Sequence, residues 1–228
     1  MFNVSHVWRN GVFARTIGAS YDWVFGHQRL AVPYGRLVMG ADLSRAYEMM
    51  TLVADMPDSA AILDVPCGGG ITLRHLGDGQ RVRYVAMDIS PAMLTRARGR
   101  VPASLDSQVE FVEGSIERMP FSDSEFDLCV CFNGLHCLPD PGAAVREVAR
   151  CLRPGGRLVG NFAVRGEVRR ADIYMRILRA TGAFGPGGTA DDARRWFTDA
   201  GLRIDTLDCA GAMAYFEASR PGSSPVPH

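Results

Sequence analysis

The 228-residue chain contains no lysine: its 25 basic residues are all arginine, and 25 acids balance them to a net charge of zero. The absence of lysine excludes the lysine of a P-loop, a Schiff base or a kinase. The absence of a charge excess argues against a general nucleic-acid or membrane-surface footprint. No apolar run approaches the ~20 residues of a membrane span. The first fifteen residues, interrupted by Asn3, Ser5, His6, Arg9 and Asn10, lack the apolar stretch of a secretion signal. The six cysteines form no CxxC and have no histidine pair at finger spacing, so no metal site is expected. Several lie inside apolar runs, where a free thiol acts as a small hydrophobe. These absences together predict a reduced, cytoplasmic protein, monomeric or homodimeric, with neither nucleic acid nor membrane as partner.

What is present is a large apolar fraction, 47%, enough for a sizeable core. Three zones follow one another. Residues 1–58 are aromatic-rich (Trp8, Tyr21, Trp23, Phe25 and Tyr34 among them) and read as an N-terminal helical cap or lid. Residues 59–219 form the core, with an insertion at 165–188; the Pro- and Ser-containing tail 220–228 is expected to be disordered. Within the core, apolar runs at 60–65, 82–87, 109–112, 126–132 and 158–164 alternate with shorter helix-like segments. Such a pattern predicts an α/β, Rossmann-like doubly wound sheet of seven strands, mostly parallel, with helices on both faces. The last two strands, 202–207 and 213–218, are about five residues apart, too close for a helical crossover. They predict a C-terminal hairpin with one reversed strand.

Ligands of such sheets sit beyond the carboxyl ends of the strands. The first strand ends at Asp64-Val-Pro66-Cys-Gly68-Gly-Gly70. A dinucleotide fingerprint started at Gly68 would place its third glycine at position 73, which is Leu73. Asp64 makes the loop mouth negative, poor for phosphate and suited to a cation. Asp88 closes the second strand and can accept both hydroxyls of a ribose. Ile89 and Ile116 read either as walls of a slot for a flat base or as ordinary packing, with Ser115 able to bond the base edge. The implied ligand carries an adenosine and a positive charge but no phosphate, which describes S-adenosylmethionine.

The segment Ala61-Ile-Leu-Asp-Val-Pro-Cys-Gly-Gly-Gly70 resembles the first motif of the class I S-adenosylmethionine-dependent methyltransferases. Tyr84 to Asp88, Val109 to Phe121, Phe126 to His136 and Leu152 to Gly156 resemble their later motifs, in order. The likeness is to the quinone-biosynthesis and small-molecule subgroup. It implies cofactor contacts at Asp64, Pro66, Gly68, Gly70, Asp88, Ile89, Gly114, Ser115, Ile116 and Asn133. Two positions depart from the pattern: Pro66 stands where the family usually has glycine, and Ser115 where it commonly has an acid.

The resemblance implies methyl transfer to a small molecule by in-line displacement. His136 follows the fourth strand, where an acceptor should sit, and reads either as a general base or as a packing residue. Tyr21, Trp23, Phe25 and Tyr34 would give the acceptor an apolar, aromatic pocket, or else simply bury the outer helices. Nucleic-acid amino-methyltransferases carry Asn/Asp-Pro-Pro-aromatic after this strand, and Asn133-Gly-Leu-His136 does not match it. Two alternatives stay open: a non-catalytic partner protein that binds the same cofactor, and a nicotinamide-dependent reductase.

Overall fold

The computed structural model describes residues 4–9 and 11–222. Seven strands, β1 (Ala61–Asp64), β2 (Arg83–Asp88), β3 (Val109–Glu113), β4 (Phe126–Phe132), β5 (Leu152–Ala163), β6 (Arg203–Ala210) and β7 (Met213–Ser219), form one sheet. Their order is β3-β2-β1-β4-β5-β7-β6. The first five pair in parallel; β7 runs antiparallel between β5 and β6. The sheet is thus the mostly parallel one with a reversed strand that the spacing of the last two runs predicts.

Alternation along each strand sends neighbouring side chains to opposite faces. Leu63, Val85, Met87 and Cys129 enter one core layer, and Ile62, Tyr84, Ala86 and Val130 enter the other. Helices α6 (Pro141–Cys151) and α8 (Ala190–Asp199) cover the first layer. There Phe197 packs on Phe216 with ring centroids 5.0 Å apart. Helix α8 starts in a reciprocal cap, with Thr189 accepting from the Asp192 N–H while Asp192 accepts from the Thr189 N–H. Helix α5 (Pro91–Arg98) covers the second layer with Leu94 and Ala97.

The N-terminal helices α1 (Val4–Arg9), α2 (Gly11–Phe25), α3 (Gln28–Tyr34) and α4 (Ser44–Met50) precede the sheet. Together with α7 (Arg169–Ala180) they build a third cluster, in which Phe25, Met39 and Met175 meet Met213 and Tyr215 of β7. The Tyr47 hydroxyl donates to the Phe25 carbonyl, and the Trp8 indole N–H donates to the Ala183 carbonyl beyond α7, at 2.5 and 2.9 Å. No helix among the described residues is long and apolar enough to cross a membrane.

After the glycine loop the chain makes only a single 3-10 turn, Thr72–His75. Ser90 precedes α5, but its hydroxyl makes no capping bond and is buried without a partner. The fifth strand begins at Leu152 rather than Leu158, because Leu152 pairs with Phe126 of β4. Arg220, the first residue of the expected tail, is tied to the sheet. Arg220 exchanges main-chain bonds with Gly155 and Gly156, and its guanidinium donates to the carbonyls of Ala149, Arg150 and Leu152. Residues 223–228 lie outside the described residues.

Those carbonyls belong to the C-terminal turn of α6 and the residue after it, where intrahelical donors run out. Hydrogen bonds to a charged group contribute about 1.5–3 kcal/mol. Arg220→Ala should therefore lower the free energy of unfolding in urea by about 2 kcal/mol; a change below about 0.5 kcal/mol would show that water caps the helix equally well.

Candidate active site

The site begins where β1 stops. After Asp64 the chain passes through a cis Val65–Pro66 peptide bond into a loop held against β2. The Cys67 N–H donates to the Met87 carbonyl, and the Gly68 N–H donates to Asp88 Oδ2 at 2.9 Å. The other carboxylate oxygen of Asp88 accepts the Ser90 N–H at 2.8 Å. Gly68 has φ +53° with no atom within 4 Å of where a Cβ would sit, so the backbone borders open space. Gly70, at φ +78°, instead faces inward against Leu73 and Ala97 of α5, which leaves no room for a side chain.

Pro66 is accommodated from across the site. A Cβ on Gly134 would lie 2.5 Å from the Pro66 Cδ and 2.8 Å from its Cγ. The proline ring therefore fills the space over the one residue after β4 that has no side chain beyond its Asn133 neighbour. Asn133 itself adopts φ +53°, and its N–H is shared between the main-chain and side-chain oxygens of Asn161.

Two acids are buried here without a cationic partner among the described residues. Asp64 accepts the Tyr84 hydroxyl at 2.7 Å. Burial lifts its carboxyl to about 7; the Tyr84 bond opposes the rise and the neighbouring Asp88 charge adds to it. Burial likewise lifts Asp88 to about 6, against the bonds from the Ser90, Gly68 and Ile89 N–H groups. Each oxygen of these carboxylates retains acceptor capacity. The chemistry available is capture of a cation and of hydroxyl donors.

The cap closes over this floor through an ion pair. Asp22 of α2 receives two bonds of 2.7 Å from the Arg100 guanidinium, and Arg100 also donates to the Gly69 carbonyl. Any side chain at Gly69 would collide with both partners. One cleft results, enclosing about 1090 Å³ together with its mouth. It is lined by Asp64, Pro66, Gly68, Asp88, Ile89, Gly114, Ser115, Ile116 and Asn133 from the sheet side, and by Tyr21 from the cap. Phe25 lines it as well.

Four residues singled out in the sequence do not line it. Gly70 acts behind the loop, as above. Trp23 points outward, 58% exposed, stacked on His27. Tyr34 packs between Phe25 and Tyr174 on the far side of the cap. His136 is turned into the core: its Nδ1 accepts the Ala163 N–H at 3.1 Å, and its ring packs on Phe184. Burial pushes it down to about 3, so it is neutral near pH 7. With one nitrogen spent and the ring outside the cleft, the general-base reading gives way to the packing one.

Trp8, Asp22, Met50 and Leu138 also line the cleft, though nothing in the sequence reading marked them as site residues. Asp22 carried one available signal, a lone acid inside an aromatic helix, where a buried partner is required. Ser115 already accepts the Glu117 N–H at 3.3 Å and keeps its hydroxyl proton to donate.

Comparison with known proteins bears on the class. The family profile described as a methyltransferase domain matches residues 63–160, the stretch from β1 through most of β5. Residues 63–160 are thus a methyltransferase domain. The chain is 34% identical over 103 residues to the 27-O-demethylrifamycin SV methyltransferase of Amycolatopsis mediterranei, covering 44% of this chain and 38% of that protein. It is 36% identical over 129 residues to the ubiquinone/menaquinone biosynthesis C-methyltransferase UbiE of Nitrobacter hamburgensis, covering 54% and 51%. The matches thus span about half or less of these relatives' length. The [4+2]-cyclase SpnF superposes with a TM-score of 0.64 at 18% identity over 92% of this chain and 97% of that one. That last likeness concerns the fold alone, and it shows that the methyltransferase fold does not by itself name a reaction.

Two outcomes follow from the geometry. Arg100→Met strands Asp22 without its partner, which costs about 3–5 kcal/mol for a buried pair; chemical denaturation should show a loss of that size, and a loss below about 1 kcal/mol would mean that water solvates Asp22 beneath the cap. His136→Gln, which keeps an acceptor near the Ala163 N–H, should leave turnover within about tenfold of the parent, whereas a fall of about 10²-fold or more would reinstate a base.

Proposed function

We propose that the protein transfers a methyl group from S-adenosylmethionine to a small apolar or aromatic molecule by in-line displacement. The observation that carries this reading is the pair of buried acids, Asp64 and Asp88, lying without a cation beside the open Gly68 backbone and beneath an aromatic cap. When bound, S-adenosylmethionine supplies a methyl group already activated on a positively charged sulfur. Asp88 would accept the ribose hydroxyls on its remaining lone pairs. Asp64 would face the ammonium. Ile89 and Ile116 would sandwich the adenine, with Ser115 donating to its edge. Pro66, Gly68, Gly114 and Asn133 shape the walls without presenting a charge, and Gly70 holds the loop from behind.

The acceptor side falls to Trp8, Tyr21, Phe25 and Leu138, which exclude water and fix an apolar molecule in place. Such alignment brings reacting atoms to about 3–3.5 Å and supplies several kcal/mol of the barrier. Of the titratable groups beside this wall, Asp22 is held by Arg100, and neither Tyr21 nor Cys137 serves as a base. Burial holds the Tyr21 hydroxyl and the Cys137 thiol well above their usual values, so both keep their protons near pH 7. The acceptor accordingly reacts through a group that is nucleophilic on arrival, such as an ionised phenol or an activated ring carbon. A nicotinamide cofactor is a poorer fit, because Leu73 is fully buried where the third glycine of its fingerprint would stand.

Thermal unfolding with S-adenosylhomocysteine, and with NADH as control, tests the cofactor. A ligand at about 100 times its Kd adds about 2.7 kcal/mol. S-adenosylhomocysteine should stabilise the parent by that amount and Asp88→Ala scarcely at all; stabilisation by NADH alone would overturn the reading.

Asp64 gives a second test. In the free protein it is partly protonated near pH 7, since its value is about 7. An ammonium beside it favours the carboxylate and lowers that value, so binding releases a proton. Affinity should rise from pH 6 toward pH 8, where the proton has already left. Calorimetry in two buffers of different ionisation enthalpy should detect the release at pH 7, and Asp64→Asn should abolish it. Equal heats in both buffers for the parent would place the ammonium elsewhere.

A further inference from the structure

Zero net charge averages over a surface that is locally far from neutral. Among the described residues, the five large apolar side chains more than 40% exposed, namely Trp23, Leu30, Leu37, Ile173 and Ile177, lie on the cap helices, the turn after them, or α7. Scattered single exposures are ordinary, but four of these five, all except Trp23, lie on two segments that pack together and so make a patch with a use. Helix α7 packs along the turn that follows α3: Arg170 donates to the carbonyls of Leu37 and Arg36, and Tyr174 meets Tyr34 edge-on at 6.2 Å. Leu30 and Leu37 stand about one turn to either side of Tyr34. Ile173 adjoins Tyr174, and Ile177 lies one turn further along α7.

The same two segments, residues 28–39 and 169–180, hold six arginines against a single acid, Asp172. Asp172 is engaged by the Gly166 N–H. Arg36 pairs with Asp42 from the neighbouring turn. Arg29, Arg169, Arg176 and Arg179 are exposed and have no ion-pair partner among the described residues. Exposed leucine and isoleucine flanked by unpaired arginine on a helical face is the pattern of an interfacial membrane helix.

We propose that this face of the cap, centred on Leu37, Ile173 and Ile177 and rimmed by Arg29, Arg169, Arg176 and Arg179, docks on an anionic lipid bilayer. A second copy of the chain fits worse: a two-fold interface sets the same patch against itself and brings like-charged arginine rims together. Nucleic acid fits worse as well, since four exposed aliphatic side chains find no partner in a phosphate backbone. The bilayer satisfies both components, taking the aliphatics into its acyl boundary and the arginines onto its headgroups. The inner side of the same cap presents Tyr21 and Phe25 to the cleft, so docking would set the apolar cleft next to the phase in which apolar molecules dissolve. The docking stands independently of the methyl-transfer reading.

The test is sedimentation of the full chain with vesicles of phosphatidylcholine alone and with about one third phosphatidylglycerol. The expected result is binding to the anionic vesicles, weak binding to the neutral ones, and release as salt rises. Arg176→Ala with Arg179→Ala should weaken binding about 25-fold, about fivefold for each arginine. Ile173→Ser with Ile177→Ser should weaken it at least tenfold, each side chain forfeiting its buried apolar area. Unchanged unfolding midpoints and unchanged response to S-adenosylhomocysteine establish that both variants are folded with an intact cleft. Absence of binding to anionic vesicles at low salt overturns the proposal. So does binding that both double variants retain, or a dimer in light scattering that the serine variant dissolves.

Discussion

The site depends on β1, a strand of only four residues that bonds in parallel to a neighbour on each side. Its register sets Asp64 beside Ala86 of β2 and Val130 of β4. Every residue of β1 is buried, and the chain leaves the sheet two residues short of the ends of β2 and β4. It turns, and the loop amides find their acceptors on the end of β2. The Cys67 and Gly68 amides are both spent there. The glycine loop is therefore positioned by sheet pairing, and the long helix that usually follows such loops is reduced to one 3-10 turn without loss of its footing.

Burial of two acids so close together is unfavourable unless hydrogen bonds compensate. Here the donors are neutral: one phenol for Asp64 and main-chain amides for Asp88. Neutral donors hold the carboxylates in place but do not cancel their charge, which is why both titrate well above the ordinary range. Arg100, whose guanidinium donates to the Gly69 carbonyl of the loop, is engaged by Asp22 from the cap instead. Closing the cap thus keeps a guanidinium from neutralising the floor, and a negative potential is preserved for a cation. The fold and the electrostatics of the cleft are in this sense one arrangement.

Much of this was legible in the order of residues. Strands buried on both faces read as unbroken apolar runs, and the short link between the last two could only be a hairpin. The floor of the cleft was legible for the same reason, since each of its residues follows directly on a strand end. The cap was not. Tyr21, Trp23 and Tyr34 share a helical, aromatic stretch, and composition does not tell which side of a helix meets the sheet; only Tyr21 turns inward. His136 misled because position after a strand says nothing of ring direction, and the Ala163 amide, 27 residues later in the chain, supplies the bond that turns it into the core. Net charge is a blunt guide in a similar way, because summation over the chain erases where the arginines are.

Pro66 and Gly134 carry a consequence for how such a chain can change over time. The proline ring occupies the volume that any side chain at position 134 would need. Gly134→Ala arising first meets the ring at 2.5 Å, whereas the same change arising after Pro66→Gly is left with the Cys131 sulfur at 3.0 Å as its nearest remaining neighbour. The two substitutions are therefore not interchangeable in order, and a lineage that adopted the proline has closed one route of exploration beside its own cleft until that proline is given up. Comparison of loops at this place is meaningful only when both positions are read together.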